Sequence, residues 1–220
     1  MPLPAVELET APNPQHAVIW LHGLGADGHD FEPIVPELVD RSWPALRFVF
    51  PHAPVRPVTI NGGMPMRAWY DITGMEIAQR QDEAGMRASI AQLDELIVRE
   101  RGRGIAAKDI LLAGFSQGGA IALAGGLRYN ETLGGIIALS TYLPLAEKTA
   151  GELSAANRAI PIFQAHGSGD PIVPLPLGAM SRDRLVQLGY HIEWHSYPMA
   201  HQVCAEEIAD LRSFIGAKLS

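Results

Sequence analysis

Residues 109–123 constrain the fold more than any other stretch of the chain. Asp109-Ile110-Leu111-Leu112-Ala113 reads as a buried β-strand, and Ala120-Ile121-Ala122-Leu123 belongs to a helix that is apolar almost all round. The two elements meet across Gly114-Phe115-Ser116-Gln117-Gly118. A strand that turns directly into a helix leaves no space for a side chain two residues before or two residues after the turn, and Gly fills both places. Ser116 then sits in a strained turn that lifts its Oγ clear of the backbone, as a nucleophile elbow requires. With ten serines, and Gly at one position in ten, chance alone yields about 0.1 such pentapeptide, so the strand before and the helix after give the match its weight. The competing reading is a Gly-rich helix start that uses Ser116 only as its N-cap.

The rest of the chain repeats that strand-then-helix rhythm. Short apolar runs at Ala17–Leu21, Leu46–Phe50, Asp109–Phe115, Gly135–Ser140, Pro161–His166 and Tyr190–Tyr197 predict strands, most of them ending at Gly, Pro, Ser or His. Helical stretches are predicted at Arg80–Glu100, Gln117–Tyr129, Leu177–Leu188 and Val203–Ala217. This alternation predicts an α/β fold, a mostly parallel central sheet flanked by helices, with residues 1–220 as one domain. From Pro51 to Ala78 the rhythm stops, and Pro and Gly are interspersed with Met64, Met66, Trp69, Tyr70 and Met75. A long loop of this kind is either ligand-facing or a surface excursion with a short strand near Arg67–Ile72. Little of the length is left for a large cap domain.

Composition excludes several classes of function. Seventeen Lys and Arg against 24 Asp and Glu leave a net charge of −7, which argues against nucleic acid as a partner. Hydrophobic residues make up 47% and are spread along the chain, so a sizeable core is expected and global disorder is not. Cys204 is the only cysteine, so no intrachain disulfide can form, and a reducing, cytoplasmic setting is expected. The first residues, Met1-Pro2-Leu3-Pro4, lack a basic start followed by an apolar run, and no stretch reaches about 18 apolar residues, so no stable membrane insertion is expected.

A serine hydroxyl at neutral pH needs a histidine to take its proton and a carboxylate to orient that histidine. In a fold of this kind the carboxylate follows the serine in sequence and the histidine comes last, each on a loop at the C-terminal end of a strand. Asp170 fits the first place, in the small-residue loop Gly167-Ser168-Gly169-Asp170-Pro171 after an apolar strand, and an ordinary Asp-Pro turn is the alternative. His201 fits the second, after the last long strand and before a helix, and a helix-start residue is the alternative. His191 and His195 share one side of a strand with Glu193, His16 and His29 lie in loops, and His52 follows a buried strand. His166 and Asp170 are four apart but lack a third clustered ligand, so no metal is expected. A tetrahedral oxyanion needs two backbone N–H groups. Gln117 supplies one at a helix N-terminus, and Leu24, in the Gly-rich loop Gly23-Leu24-Gly25-Ala26-Asp27-Gly28, supplies the other. Phosphate binding by that loop is the alternative, although no Lys follows and the spacing matches neither nucleotide fingerprint.

Several of these segments, taken together, resemble the acyl-protein thioesterase and carboxylesterase family of α/β-hydrolases. The resemblance rests on residues 21–31, Phe50-Pro51-His52-Ala53-Pro54, Trp69-Tyr70-Asp71, residues 114–119, residues 166–174 and Pro198-Met199-Ala200-His201. It implies an α/β-hydrolase fold, Ser116 as nucleophile, His201 as general base and acid, Asp170 as its partner, and Leu24 and Gln117 as the oxyanion hole. Substrate-facing roles for Met66, Trp69, Met75 and Val173 are expected with it. So are small acyl esters or thioesters as substrates, no cofactor, and homodimers of the kind relatives often form. The early loop, Gly23-Leu24-Gly25-Ala26-Asp27-Gly28, is similar to bacterial carboxylesterases, whereas eukaryotic thioesterases place Asp directly after the second Gly. A serine carboxylesterase is therefore the expected activity, with acyl-protein thioesterase or lysophospholipase as the alternative. A hydrolase-like module that only binds a small molecule is the reading from another class.

Overall fold

A computed structural model describes residues 2–74 and 81–219. In chain order its elements begin with β1 (Ala5–Glu9), β2 (His16–Leu21), α1 (Val35–Leu38), β3 (Leu46–Pro51), β4 (Val55–Val58) and β5 (Met64–Arg67). They continue with α2 (Glu83–Gly102), β6 (Ile110–Phe115), α3 (Gln117–Arg128), β7 (Gly135–Leu139) and α4 (Ala146–Glu152). The last four are β8 (Ile162–Gly167), α5 (Leu175–Gln187), β9 (Ile192–Tyr197) and α6 (Ala205–Gly216).

Seven strands form one sheet in the order β1-β3-β2-β6-β7-β8-β9, parallel throughout except that β1 runs antiparallel to β3. Alternate residues of a strand face opposite sides. Ile19 and Leu21 therefore pack with Leu93, Leu96 and Ile97 of α2 and Ile121 of α3, while Val18 and Trp20 pack with Phe48, Phe50 and, from α6, Leu211 and Phe214. Covered on both faces, β2, β7 and β8 are buried at every position, which is why they are mostly apolar, His16, Gln164 and His166 being the exceptions.

The differences from expectation lie where tertiary context overrides local pattern. β1 is a half-exposed edge strand whose Glu7 and Glu9 mask its alternation, and α4 is a short helix entered through Leu145 in a left-handed conformation at φ +52°. The strand expected near Arg67–Ile72 lies earlier: Met64–Arg67 pairs antiparallel with Val55–Val58 in a hairpin whose turn holds Gly62 and Gly63 at φ +67° and +78°. Between β3 and α2 the described residues hold, besides this hairpin, a short 3-10 turn at Thr59–Asn61 and an antiparallel bridge between Ile72 and Gln81, and no α-helix is among them. The arginines near the end of α2 form a network. Arg99 and Arg103 meet Glu7 of β1, and with Arg47 they surround the fully buried Glu100. A buried carboxylate must be paired, and three guanidiniums supply that pairing.

Candidate active site

Ser116 stands between β6 and α3 at φ +54° and ψ −120°, a conformation that L-residues rarely adopt. The glycines around it are steric necessities. A Cβ on Gly114 would lie 2.4 Å from the Gly118 carbonyl, and one on Gly118 would lie 2.3 Å from the Leu21 carbonyl oxygen. Ser116 N donates to Leu139 O at 2.8 Å, and Ser116 O accepts from Thr141 Oγ1 at 2.6 Å and from Ala120 N at 3.1 Å. Both sides of the strained residue are thus pinned.

Asp170 lies in the loop after β8, and Pro174 closes that loop as the N-cap of α5. Its Oδ1 accepts from Ile172 N at 2.8 Å and Val173 N at 2.9 Å, and its Oδ2 accepts from His201 Nδ1 at 2.6 Å. The carboxylate has no exposed surface and two backbone N–H groups hold its Oδ1, so it can orient the imidazole without rotating. The loops after β8 and β9 are joined by Ser168 N donating to Tyr197 O at 2.7 Å and Gly169 N to Met199 O at 3.0 Å. A Cβ on Gly167 would lie 2.3 Å from Ala200 O, so Gly there lets the His201 loop close onto the Asp170 loop. The His201 ring also lies 4.6 Å, centroid to centroid, from the ring of Phe115, which brings the imidazole to the residue preceding Ser116.

Leu24 lies in the loop after β2, where Gly25 N donates to Arg67 O at 2.9 Å. Gln117 begins α3 and is buried. Its Oε1 accepts from Trp69 N at 2.7 Å and its Nε2 donates to Tyr70 O at 2.7 Å, which ties the start of α3 to the segment after the hairpin. Trp69 Nε1 donates in turn to His22 O at 2.8 Å. The segment Arg67–Tyr70 therefore braces the Leu24 loop and the helix start together.

Two residues expected to face substrate are buried. Trp69 is 1% exposed, lies tilted against the His22 ring and belongs to the core, and Val173 is 3% exposed. Val173 shapes the Asp170 turn through its N–H and through its carbonyl, which accepts from His166 Nε2 at 2.7 Å. Both are apolar or aromatic residues beside a functional loop, and packing beneath the site claims them. Met66 is half-buried beside Gly25, its Sδ accepting from Asn61 Nδ2 at 3.3 Å. Met75 lies outside the described residues. Three buried groups escaped sequence reasoning, namely His22, Thr141 and the side chain of Gln117, because their partners are distant in sequence or are backbone atoms. Burial lowers the pKa values of His22 and His166 and keeps both rings neutral near pH 7.

A groove of about 810 Å³ opens between the loop after β7 and α5, lined in part by Tyr142, Leu143, Leu145, Leu177 and Met180. Tyr142 directly follows Thr141, the residue bonded to Ser116, and its hydroxyl lies 2.8 Å from that of Tyr70. The loop after β7 is an apolar run, Tyr142-Leu143-Pro144-Leu145, a signal that sequence reading passed over. Among the described residues no group of three or more His, Cys, Asp or Glu could hold a metal ion, and no helix is long and apolar enough to cross a membrane.

A mostly parallel sheet covered on both faces, with a serine elbow after a central strand and an Asp–His pair on the loops after the last two strands, is the α/β-hydrolase fold. Within that fold the chain belongs to the phospholipase/carboxylesterase family, which it matches over residues 3–219, and it is a hydrolase of that family. It is 41% identical over 226 residues to acyl-protein thioesterase 1 of Neurospora crassa, covering 99% of this chain and 90% of that protein. Among solved structures it is similar to Arabidopsis thaliana SOBER1, with a TM-score of 0.88 and 29% identity over 93% of this chain and 99% of that one. It is also similar to esterase PE8, with a TM-score of 0.84 and 26% identity over the full length of both.

Proposed function

We propose that this protein is a serine hydrolase that cleaves acyl thioesters and esters through an acyl-enzyme, with thioester hydrolysis as its better-supported activity. The observation that carries the mechanism is the 2.6 Å bond from His201 Nδ1 to the buried Asp170, with the imidazole against Phe115 beside the strained Ser116. Asp170 fixes the tautomer, leaving His201 Nε2 as the base. That nitrogen takes the proton from Ser116 Oγ as the oxygen bonds to the acyl carbon. The carbonyl oxygen becomes an oxyanion held by the Leu24 and Gln117 N–H groups. His201 returns the proton to the departing thiolate or alkoxide, and the acyl group stays on Ser116. Water then repeats the sequence and releases the acid.

The name of the 41%-identical relative favours thioesters over the small-ester carboxylesterase expected from the Gly-Leu-Gly-Ala-Asp-Gly loop. A general carboxylesterase is the second reading, favoured by that loop and by the likeness to esterase PE8. The groove beside Tyr142 is the place we assign to the acyl chain, since Tyr142, Leu143, Leu145, Leu177 and Met180 give it an apolar side opposite the charged Glu83, Glu147, Lys148 and Arg184, and it begins one residue from Thr141.

Rates on thioesters and oxoesters with matched acyl chains, including an S-acylated peptide, separate the two readings. The thioesterase reading expects a higher kcat/KM for the thioester of each pair after correction for uncatalysed reactivity. A preference for oxoesters at every chain length would move the assignment to carboxylesterase. Ser116→Ala is expected to reduce turnover by about 10³-fold or more on both.

A further inference from the structure

The two amides assigned to the oxyanion hole belong to peptide units whose carbonyls are each held by a buried side chain. The Leu24 N–H lies in the same peptide plane as the Gly23 carbonyl, and the Gln117 N–H in the same plane as the Ser116 carbonyl. Across a trans peptide the N–H and C=O point in opposite directions, so fixing the oxygen aims the hydrogen. His22 Nδ1 lies 2.7 Å from Gly23 O, and Thr141 Oγ1 lies 2.6 Å from Ser116 O. His22 Nε2 accepts from Ala53 N at 3.1 Å, so the ring proton is on Nδ1 and faces Gly23 O.

We propose that Thr141 and His22 are positioning residues that aim and polarise the two oxyanion-hole amides. A hydrogen bond received at a carbonyl draws electron density toward its oxygen and makes the N–H of the same peptide a stronger donor. Water does not compete for either contact, since Thr141 is fully buried and His22 is 2% exposed. Neither side chain is free to turn away. Thr141 packs against Gly119, where an added Cβ would lie 2.8 Å from Thr141 Cγ2 and 2.9 Å from its Cβ, and the His22 ring is held at Nε2 by Ala53 N and lies 5.3 Å, centroid to centroid, from the Trp69 ring. The Thr141 hydroxyl is the shorter contact and acts on the unit that contains the nucleophile. Because the negative charge on the carbonyl oxygen exists only at the tetrahedral stage, both residues act on kcat and on tetrahedral adducts rather than on substrate binding.

This inference rests on the serine-hydrolase reading, and one set of variants tests the two separately. Thr141→Val and His22→Leu remove the donors, while Thr141→Ser and His22→Asn restore a donor near the same place. Each is assayed on a p-nitrophenyl ester and for inhibition by phenylboronic acid, which forms a tetrahedral adduct on the serine. Losing an oxyanion donor outright lowers kcat by about 10²–10³-fold, so losing its aim is expected to lower kcat by about tenfold with KM within about twofold. The boronate is expected to weaken by the same factor, and both conservative variants to recover most of the loss. The proposal is overturned by wild-type kcat and boronate affinity in Thr141→Val and His22→Leu, by a change confined to KM, or by losses that the conservative variants leave unrestored. The two sites are read independently, so a variant that does not fold leaves the other pair to decide. Ser116→Ala run alongside separates the layers: if it keeps turnover, the serine mechanism fails, and if it is inactive beside an unaffected Thr141→Val, only the aiming role fails.

Discussion

Ser116 is held in a strained backbone conformation, and that strain can be measured apart from the chemistry. At φ +54° a residue with a Cβ is disfavoured by about 1–3 kcal/mol relative to Gly. Ser116→Gly and Ser116→Ala are both expected to be inactive, yet Ser116→Gly is expected to unfold at the higher temperature, by about 1 kcal/mol or more. Equal melting temperatures for the two variants would mean that the strain relieved is no larger than the chain entropy Gly adds to the unfolded state, about 0.4–1 kcal/mol. Gly118 has the opposite problem. Its added methyl would meet the Leu21 carbonyl oxygen at 2.3 Å, so Gly118→Ala forces β2 away from α3. A loss of about 1–3 kcal/mol is expected, together with a drop in kcat, because the Leu24 loop follows directly from Leu21. These glycines were legible in the sequence because their constraint is local to one turn. His22 and Thr141 were not, since a carbonyl as partner leaves no trace in residue identity.

Helix α6 carries a titration that reports on its own packing. Glu207 sits in its first turn, three residues after the Cys204 N-cap, and burial pushes its carboxyl up to about 8 against the opposing pull of the Cys204 backbone. Between about 4.5 and 8 the folded state retains a proton that the unfolded chain has released, so stability falls as pH rises across that window. The slope from this group is at most about 1.4 kcal/mol per pH unit. Glu207→Gln, which cannot ionise, is expected to melt at a temperature that changes less from pH 6 to pH 9, and to be the more stable protein at pH 9. Parallel melting curves for wild type and variant would show that the carboxyl ionises without penalty. The helices and buried strands could be read from periodicity because burial on one or both faces writes the pattern. β1, α4 and the β4–β5 hairpin could not, because a half-exposed edge, a two-turn helix and a register set by Gly62 and Gly63 write almost none. Trp69 shows the reverse error, an aromatic in a loop that belongs to the core through its bonds to Gln117 and His22.

At the scale of the whole molecule, the C-terminal end of the parallel strands gathers the loops after β2, β6, β8 and β9, and the groove beside Tyr142 adjoins that gathering. If the acyl chain lies along the apolar side of the groove, placing a charge on that side should penalise long chains selectively. Leu177→Arg is expected to lower kcat/KM for long-chain substrates by about tenfold or more while leaving short-chain rates within about twofold. A uniform loss across chain lengths would place the acyl chain elsewhere. The order Ser116, Asp170, His201 was readable because the fold dictates which strand ends meet. The shape of the groove was not, because Tyr142, Leu177 and Met180 converge on it from separate loops and helices.

Mass spectrometry of protein quenched during turnover of a slow thioester tests the central claim most directly. The account predicts an acyl adduct on Ser116, absent in Ser116→Ala and accumulating far more slowly in His201→Ala. An adduct on any other residue, or steady turnover with Ser116 replaced, would contradict it.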